Sequence, residues 1–140
     1  MHNLIDLYNL AYDKNITVFD FRMTNLDMDA ISIKVSNTIG IFLDYKQIDT
    51  TAKEKYLLAH ELGHCETGAL HKITSPFELK IKNEYRADRW AVYEIIPFNK
   101  LSDAVNNGVT EPWQLAEYFN VPEDFIYTAY KIYSNEGLIS

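Results

Sequence analysis

The chain carries the sequence TAKEKYLLAHELGHCETG at residues 51–68. Within it, His60-Glu61-Leu62-Gly63-His64 forms an H-E-x-x-H pattern, and residues four apart on an α-helix share one face. Two imidazoles at that spacing can bind one metal ion, while Glu61 can reach a water molecule at the metal without being a ligand. The segment therefore predicts a helix that presents His60 and His64 as metal ligands and Glu61 as a catalytic base.

A third metal ligand is expected on the next helix along the chain. A catalytic zinc ion takes three protein ligands and keeps one position open. Glu84 can complete the set from a helix packed against the first, which predicts one Zn²⁺ per chain. Asp88 lies four residues later on the same face, where it can accept the free ring N–H of a ligating histidine. The alternative is a solvated face on which both acids pair with Lys82 or Arg86.

Two neighbouring residues also carry metal-binding groups. In the pattern H-E-x-x-H-x-x-G-x-x-H, a third histidine binds the metal, but Gly68 and His71 each fall one residue late here. A histidine in a loop or at the rim of the site is therefore favoured for His71. Cys65 follows His64 directly and points about 100° away from it on a helix. A buried structural thiol is the favoured role for Cys65.

These residues together predict hydrolysis of a peptide bond by a zinc-dependent peptidase. Zinc can lower the pKa of a bound water to about 7, and Glu61 would take its proton and later protonate the leaving amine. A further oxyanion donor is expected, and the candidates for this role or for substrate contact are Tyr85, Arg86 and His71. The sequence has no G-x-S-x-G, phosphate-binding loop or G-x-G-x-x-G that would favour another chemistry.

The first third of the chain predicts one helix and three strands. Helical spacing of apolar residues indicates an amphipathic first helix, with a stripe formed by Leu4, Ile5, Tyr8, Ala11 and Tyr12. Strands are expected at residues 16–21, 31–35 and 38–43, with a turn at Ser36-Asn37. Alternation in the second strand places Ile31 and Ile33 on its buried face. The third strand is expected either to be an exposed edge that binds an extended substrate or an ordinary blunted edge.

The remainder of the chain predicts helices. A capping box of Thr51 and Glu54 opens the metal-binding helix, Gly68 ends it, and Pro97 ends the next. The further helices are expected at 77–96, 100–106, 111–119 and 122–133. The sequence thus predicts an α+β fold in which a small, mainly antiparallel three-stranded sheet packs on a helical bundle. One domain is expected over 1–140, with sheet and first helix in 1–45, metal-binding helices in 46–98 and C-terminal helices in 99–140.

The composition limits the function classes. Thirteen Lys and Arg against 20 Asp and Glu give a net charge of −7, and no basic run occurs, which argues against nucleic-acid binding. The single cysteine cannot form an internal disulfide, which favours a reducing compartment. No apolar tract is long enough for a membrane span, and the first residues lack a secretory pattern. A cytoplasmic location away from the membrane is therefore expected.

The last two helices resemble a helix-turn-helix superficially, but their charges oppose DNA binding. The first turn of the second helix would meet base edges, and it carries Glu123 and Asp124. Its only basic residue, Lys131, lies near the far end. We therefore expect this helix to pack on the metal-binding part or on a protein partner, through Phe125, Ile126, Ala129, Tyr130 and Tyr133.

Three segments resemble the ImmA/IrrE-type metallopeptidases. They are LAHELGHCE at 58–66, EYRADRWA at 84–91 and WQLAEYFNV at 113–121, and the resemblance extends over roughly residues 45–133. Many relatives have Asn where this chain has Asp88. The spacing of Glu84 and Asp88 is similar to the Glu-x-x-x-Asp of thermolysin-like zinc peptidases.

The resemblance implies a zincin-like, gluzincin-type site with zinc ligands His60, His64 and Glu84 and a catalytic Glu61. It also implies a role in a phage or mobile element, where such proteins relieve repression by cleaving a helix-turn-helix repressor. The alternative is a non-catalytic metal-binding regulatory module that acts through protein–protein contacts. The intact Glu61 favours the peptidase, because a purely structural metal site does not need it.

Overall fold

The structure is a computed structural model, and it describes residues 2–68 and 77–139. The helices and strands are α1 (Leu4–Asp13), β1 (Ile16–Asp20), β2 (Ala30–Val35), β3 (Thr38–Leu43), α2 (Thr51–Thr67), α3 (Phe77–Ile95), α4 (Phe98–Asn106), α5 (Pro112–Phe119) and α6 (Glu123–Asn135). A single 3₁₀ turn at Thr24–Leu26 lies between β1 and β2. The predicted α+β fold is therefore confirmed, with the predicted element types in the predicted order.

The sheet is mixed, with strand order β1-β3-β2. β2 and β3 form an antiparallel hairpin through the expected turn, where Ser36 adopts a φ of 55°. β1 pairs with β3 in parallel, because the chain crosses from β1 to the far side of β3 and then reverses once through the hairpin. The expectation of mainly antiparallel pairing holds only for the hairpin. The expectation that residues 38–43 form an edge is wrong, since β3 is central and the edges are β1 and β2.

The two faces of β2 are the reverse of those expected from its alternation. Ile33 is 41% exposed and lies beside Phe42 and Phe19 on the outer face of the sheet, where the two rings stack at 4.9 Å. Ser32 pairs in register with the fully buried Ile41, on the face that packs against the helices. Ile33 of β2 therefore faces outward, and Ser32 faces α2.

The N-terminal helix buries a stripe that differs from the predicted one. Leu7 and Ala11 are buried, whereas Ile5 and Tyr12 are 70% and 82% exposed. The Tyr8 hydroxyl donates to a Glu54 carboxylate oxygen at 2.5 Å and thereby joins α1 to α2. The buried face of α1 is set by this contact and by the sheet, not by hydrophobic spacing alone.

α2 begins at a different cap from the predicted one. Thr50 is the N-cap, and its hydroxyl accepts the N–H of Lys53 at 3.1 Å. Thr51 is the first helical residue, and the side chain of Glu54 is engaged by Tyr8 instead of closing a capping box. The helix ends as predicted at Gly68, which adopts a left-handed φ of 67°.

The C-terminal helices pack on the metal-binding helices. α6 buries Phe125, Ile126, Ala129, Ile132 and Tyr133, while Tyr130 is half-buried, so the predicted apolar face meets the rest of the domain. On the other side of α2, the buried Lys55 ammonium donates to the Phe119 carbonyl at the end of α5, with a distance of 2.5 Å. Within the described ranges, no helix is long and apolar enough to cross a membrane.

Candidate metal centre

His60 and His64 converge with Glu84, as the sequence predicted. Both histidines are buried on one face of α2, with their ring centroids 4.8 Å apart. The Nε2 atom of His60 lies 2.8 Å from Glu84 Oε2, and that of His64 lies 2.9 Å from Glu84 Oε1. One ligand atom from each residue lies within 4.8 Å of the other two, so these three residues could hold one metal ion.

Close packing of α2 against α3 brings Glu84 to the histidines. Gly63 lies within the H-E-x-x-H segment, and a Cβ atom there would lie 2.5 Å from the Ala87 carbonyl oxygen and 2.9 Å from Ala87 Cα. Only hydrogen fits at such a distance from backbone atoms. Glu84 and Asp88, which flank Ala87 on α3, are therefore held against the histidine face of α2.

Asp88 occupies the position predicted for it, behind His60. Its Oδ1 lies 2.7 Å from His60 Nδ1, on the ring nitrogen opposite the one that faces Glu84. Such a contact fixes the tautomer and orientation of an imidazole and leaves Nε2 free for a metal. The ring of His60 is thus held from both sides by carboxylates.

Tyr56 belongs to the same network, and the sequence analysis missed it. Its ring lies 5.8 Å from that of His60, one helical turn earlier on α2. Burial raises the pKa of the Tyr56 hydroxyl, and the nearby carboxylates of Asp88, Glu84 and Glu61, with a hydrogen bond to Asp88, raise it further. The sequence does indicate that Tyr56 lies near His60, because residue 56 comes four positions before His60 and therefore lies on the same helical face.

The carboxylates dominate the electrostatics of the site. Burial would lower the pKa of His60, but its hydrogen bonds to Asp88 and Glu84 outweigh burial and raise the pKa to about 10. Burial would raise the pKa of Glu84, but the hydrogen bonds to His60 and His64 hold it well below its ordinary value. The site is therefore strongly attractive to cations.

Glu61 lies inside the site as a buried carboxylate. It is 6% exposed, and burial raises its pKa, although the charges of His60 and His64 and a hydrogen bond from Ser32 partly offset this effect. A carboxylate that is easily protonated suits a group that must accept a proton and then return it. The sequence did not point to Ser32, because its position beside Glu61 depends on which face of β2 meets α2.

The three candidate oxyanion donors lie in different surroundings. The Tyr85 hydroxyl accepts a hydrogen bond from the Asn135 side-chain amide of α6 at 3.4 Å. Arg86 is exposed, and His71 lies outside the described residues. Cys65 is half-buried, and burial raises its pKa to about 12; the structural role expected for a buried thiol there stays a prediction.

The donor set fits a zinc ion. Two neutral imidazole nitrogens and one carboxylate are a ligand set that catalytic zinc accepts, with a fourth position left open. The buried, hydrogen-bonded setting of His60 also supplies the outer support that such ligands normally have. The residues present are therefore suitable ligands in type, number and mutual position.

Comparison with known proteins gives one match. A family model described as the IrrE N-terminal-like domain, Peptidase_M78, matches residues 12–130. No curated protein and no solved structure gives a significant match. The matched range contains the whole sheet, all three residues of the candidate metal centre, Glu61 and Asp88.

Proposed function

The chain belongs to the IrrE N-terminal-like family of peptidases, Peptidase_M78, and on this premise we propose that it is a zinc-dependent endopeptidase. His60, His64 and Glu84 would hold the metal. The observation that carries the proposal is the convergence of both Nε2 atoms on one carboxylate beside the buried Glu61. A bound Zn²⁺ would supply Lewis acidity toward a peptide carbonyl and would acidify a water molecule.

Glu61 would act as the general base and then as the general acid. It takes the proton of the attacking water, and it delivers that proton to the amide nitrogen as the C–N bond breaks. Ser32 faces this carboxylate from β2 and would help to hold it in place. Asp88 acts through His60, whose ring it holds in place.

The free edge of β2 is proposed as the docking strand for an extended substrate. Among residues 2–68 and 77–139, β2 pairs with β3 alone, and it runs past α2 with Ser32 turned toward Glu61. A peptide that adds to this edge by main-chain hydrogen bonds would lie beside the catalytic base. β2 therefore takes the role that the sequence analysis considered for residues 38–43.

A helix-turn-helix repressor of a phage or mobile element is the substrate that we propose. Its support is the resemblance of residues 58–66, 84–91 and 113–121 to the ImmA/IrrE-type metallopeptidases. Direct DNA contact is not part of the proposal, because Glu123 and Asp124 are exposed at the start of α6 and its apolar face is buried.

Glu61→Gln separates this function from that of a non-catalytic metal-binding module. The amide keeps the shape of the side chain but cannot accept the proton, so the variant should bind zinc like the wild type and lose cleavage. The measurement is cleavage of a helix-turn-helix repressor, with zinc, followed by gel electrophoresis and mass spectrometry. Wild-type cleavage by the variant would contradict the role of Glu61, and absence of cleavage by the wild type would favour the module.

A further inference from the structure

We propose that a groove beside the metal centre is a pocket for a lysine or arginine side chain of the substrate. The inference rests on the proposed peptidase function. The groove has a volume of about 350 Å³ and lies between α2, the start of β2 and the start of α6. Its lining includes Asp29, Lys53, Tyr56, Pro122, Asp124 and Phe125.

The floor of the groove is aromatic and continuous with the metal centre. The rings of Tyr56 and Phe125 lie with their centroids 4.9 Å apart. Tyr56 also lies 5.8 Å from the ring of His60, measured between centroids, and its hydroxyl is close enough to Asp88 for that carboxylate to raise its pKa. A side chain in the groove would therefore rest on the same aromatic residue that supports the metal-binding histidine.

The charges around the groove favour a cation. Lys53 is already engaged, because its ammonium lies 3.0 Å from an Asp29 carboxylate oxygen and donates to the Gln47 carbonyl at 3.0 Å. Asp124 is exposed and has no ion-pair partner within residues 2–68 and 77–139. One negative charge therefore remains uncompensated at the mouth of the groove.

Lysine and arginine match this combination. Their aliphatic stems can pack on Tyr56 and Phe125, and their cations can reach a carboxylate or lie over an aromatic face. A substrate carboxylate would meet Asp124 as a like charge, and an apolar side chain would gain no attraction from it. The groove should therefore prefer a basic side chain over an acidic or a neutral one.

The position of the groove suits a peptide bound along β2. Asp29 lines the groove and directly precedes β2, whereas Ser32 faces Glu61. A strand rises about 3.3 Å per residue, so the three residues from 29 to 32 span about 10 Å. A peptide paired with β2 would thus place a side chain in the groove about two or three residues from the bond that is cleaved.

Asp124 also has a structural reason to be where it is. It lies in the first turn of α6, where the helix dipole favours negative charge. Glu123 lies in the same turn and is exposed, but it does not line the groove. Comparison of Asp124→Asn with Glu123→Gln therefore separates substrate recognition from stabilisation of the helix.

The test is cleavage of a randomised decapeptide library by the zinc-loaded full chain, with the products sequenced by mass spectrometry. Wild type should enrich Lys and Arg about 3–10-fold at one position, two or three residues from the cleaved bond. Asp124→Asn should reduce the enrichment to about onefold, and Asp124→Lys should replace it by enrichment of Asp and Glu. Glu123→Gln should match the wild type. Equal enrichment in Asp124→Asn and wild type would overturn the proposal.

A binding measurement tests the pocket independently of the peptidase function. Amide NMR shifts of Phe125 and Thr128 are followed with decapeptides that carry one lysine, and with matched peptides that carry norleucine. Lysine-dependent shifts that disappear in Asp124→Asn support the pocket even if wild type cleaves no peptide. Equal shifts with lysine and norleucine overturn it even if cleavage is observed.

Discussion

The carbonyl oxygen of Ala87 lies 2.5 Å from the point where a Cβ atom at Gly63 would be placed. This close approach of α3 to α2 occurs between the two motifs that supply the metal-binding groups. Gly63 precedes His64 by one residue, and Ala87 precedes Asp88 by one residue. The separation of the two helices therefore decides whether Glu84 can reach both imidazoles.

We predict that Gly63→Ala separates the helices and weakens metal binding. The added methyl group meets backbone atoms, which cannot rotate away, so α3 must shift. The clash should exceed the gain of up to about 1 kcal/mol that alanine brings to a helix, with a net loss of about 1–3 kcal/mol in the free energy of unfolding. Urea denaturation and zinc titration measure the two effects.

Gly40→Ala is the matched control for that variant. A Cβ atom at Gly40 would approach the ring atoms of Phe42 and Phe19 at 3.1 and 3.2 Å, on the outer face of the sheet. Side chains at that face can adjust, and the metal centre lies on the other side. Zinc affinity should therefore be that of the wild type in Gly40→Ala, and an equal affinity in Gly63→Ala would contradict the proposed role of Gly63.

We predict one tightly bound divalent metal per chain after purification without added metal. His60→Ala and Glu84→Ala each remove one of the three ligands and should lose most of this metal. Glu117→Ala removes an exposed carboxylate of α5 and should keep it. Elemental analysis of the four proteins decides the point, and the same metal content in all of them would exclude the site.

We predict that Asp88→Ala weakens zinc binding by about 10–100-fold without abolishing it. The substitution removes the carboxylate that orients His60 but leaves all three ligands in place. Tyr56→Phe should have a smaller effect in the same direction, because it removes only a hydroxyl near Asp88 and leaves the Asp88 carboxylate in place. Competition titration with a zinc chelator measures the affinities.

The exposed Tyr127 gives a control for loss of a tyrosine hydroxyl. Tyr127→Phe changes a solvated side chain of α6 and should leave the zinc affinity unchanged. If Asp88→Ala bound zinc as tightly as the wild type, the contact at 2.7 Å would have no bearing on the metal.

We predict an acid-sensitive contribution to stability from Asp44, which directly follows β3 and holds the crossover between β1 and β2 through Arg22 and Met23. Its buried carboxylate accepts the Met23 N–H at 2.8 Å, the Gln47 side-chain amide at 2.8 Å and the Arg22 guanidinium. The bond from the Met23 N–H contributes most to lowering its pKa from 3.8 to about 2. Because the folded pKa lies below the unfolded one, this stabilisation is fully present above about pH 4 and is lost as the pH falls through about 2.

The measurement is urea unfolding of the metal-free chain between pH 7 and pH 2, for wild type and Asp44→Asn. The variant should be less stable at pH 7, and the difference between the two proteins should shrink from about pH 4 downward. A constant difference over the whole range would show that the Asp44 carboxylate has no such role.

Local periodicity sufficed for the parts of the site that lie on one helix. His60 and His64 share a face because they are four residues apart, and the same spacing relates Glu84 to Asp88. The helix that carries the H-E-x-x-H segment and its end at Gly68 follow from spacing and from the left-handed conformation that glycine permits. These features depend on dihedral angles and on neighbours within one turn, so they can be predicted without the rest of the fold.

Features that depend on distant segments of the chain could not be predicted in this way. The parallel pairing of β1 with β3 needs a crossover, and the outward orientation of Ile33 depends on which face of the hairpin meets α2. The position of Ser32 beside Glu61 and that of Tyr56 beside Asp88 each join segments that are distant in the chain, although the place of Tyr56 on the face of His60 follows from helical spacing. Strand alternation and helical spacing predict which residues share a face. They do not predict which element that face will pack against, because this depends on the packing free energy of the whole domain.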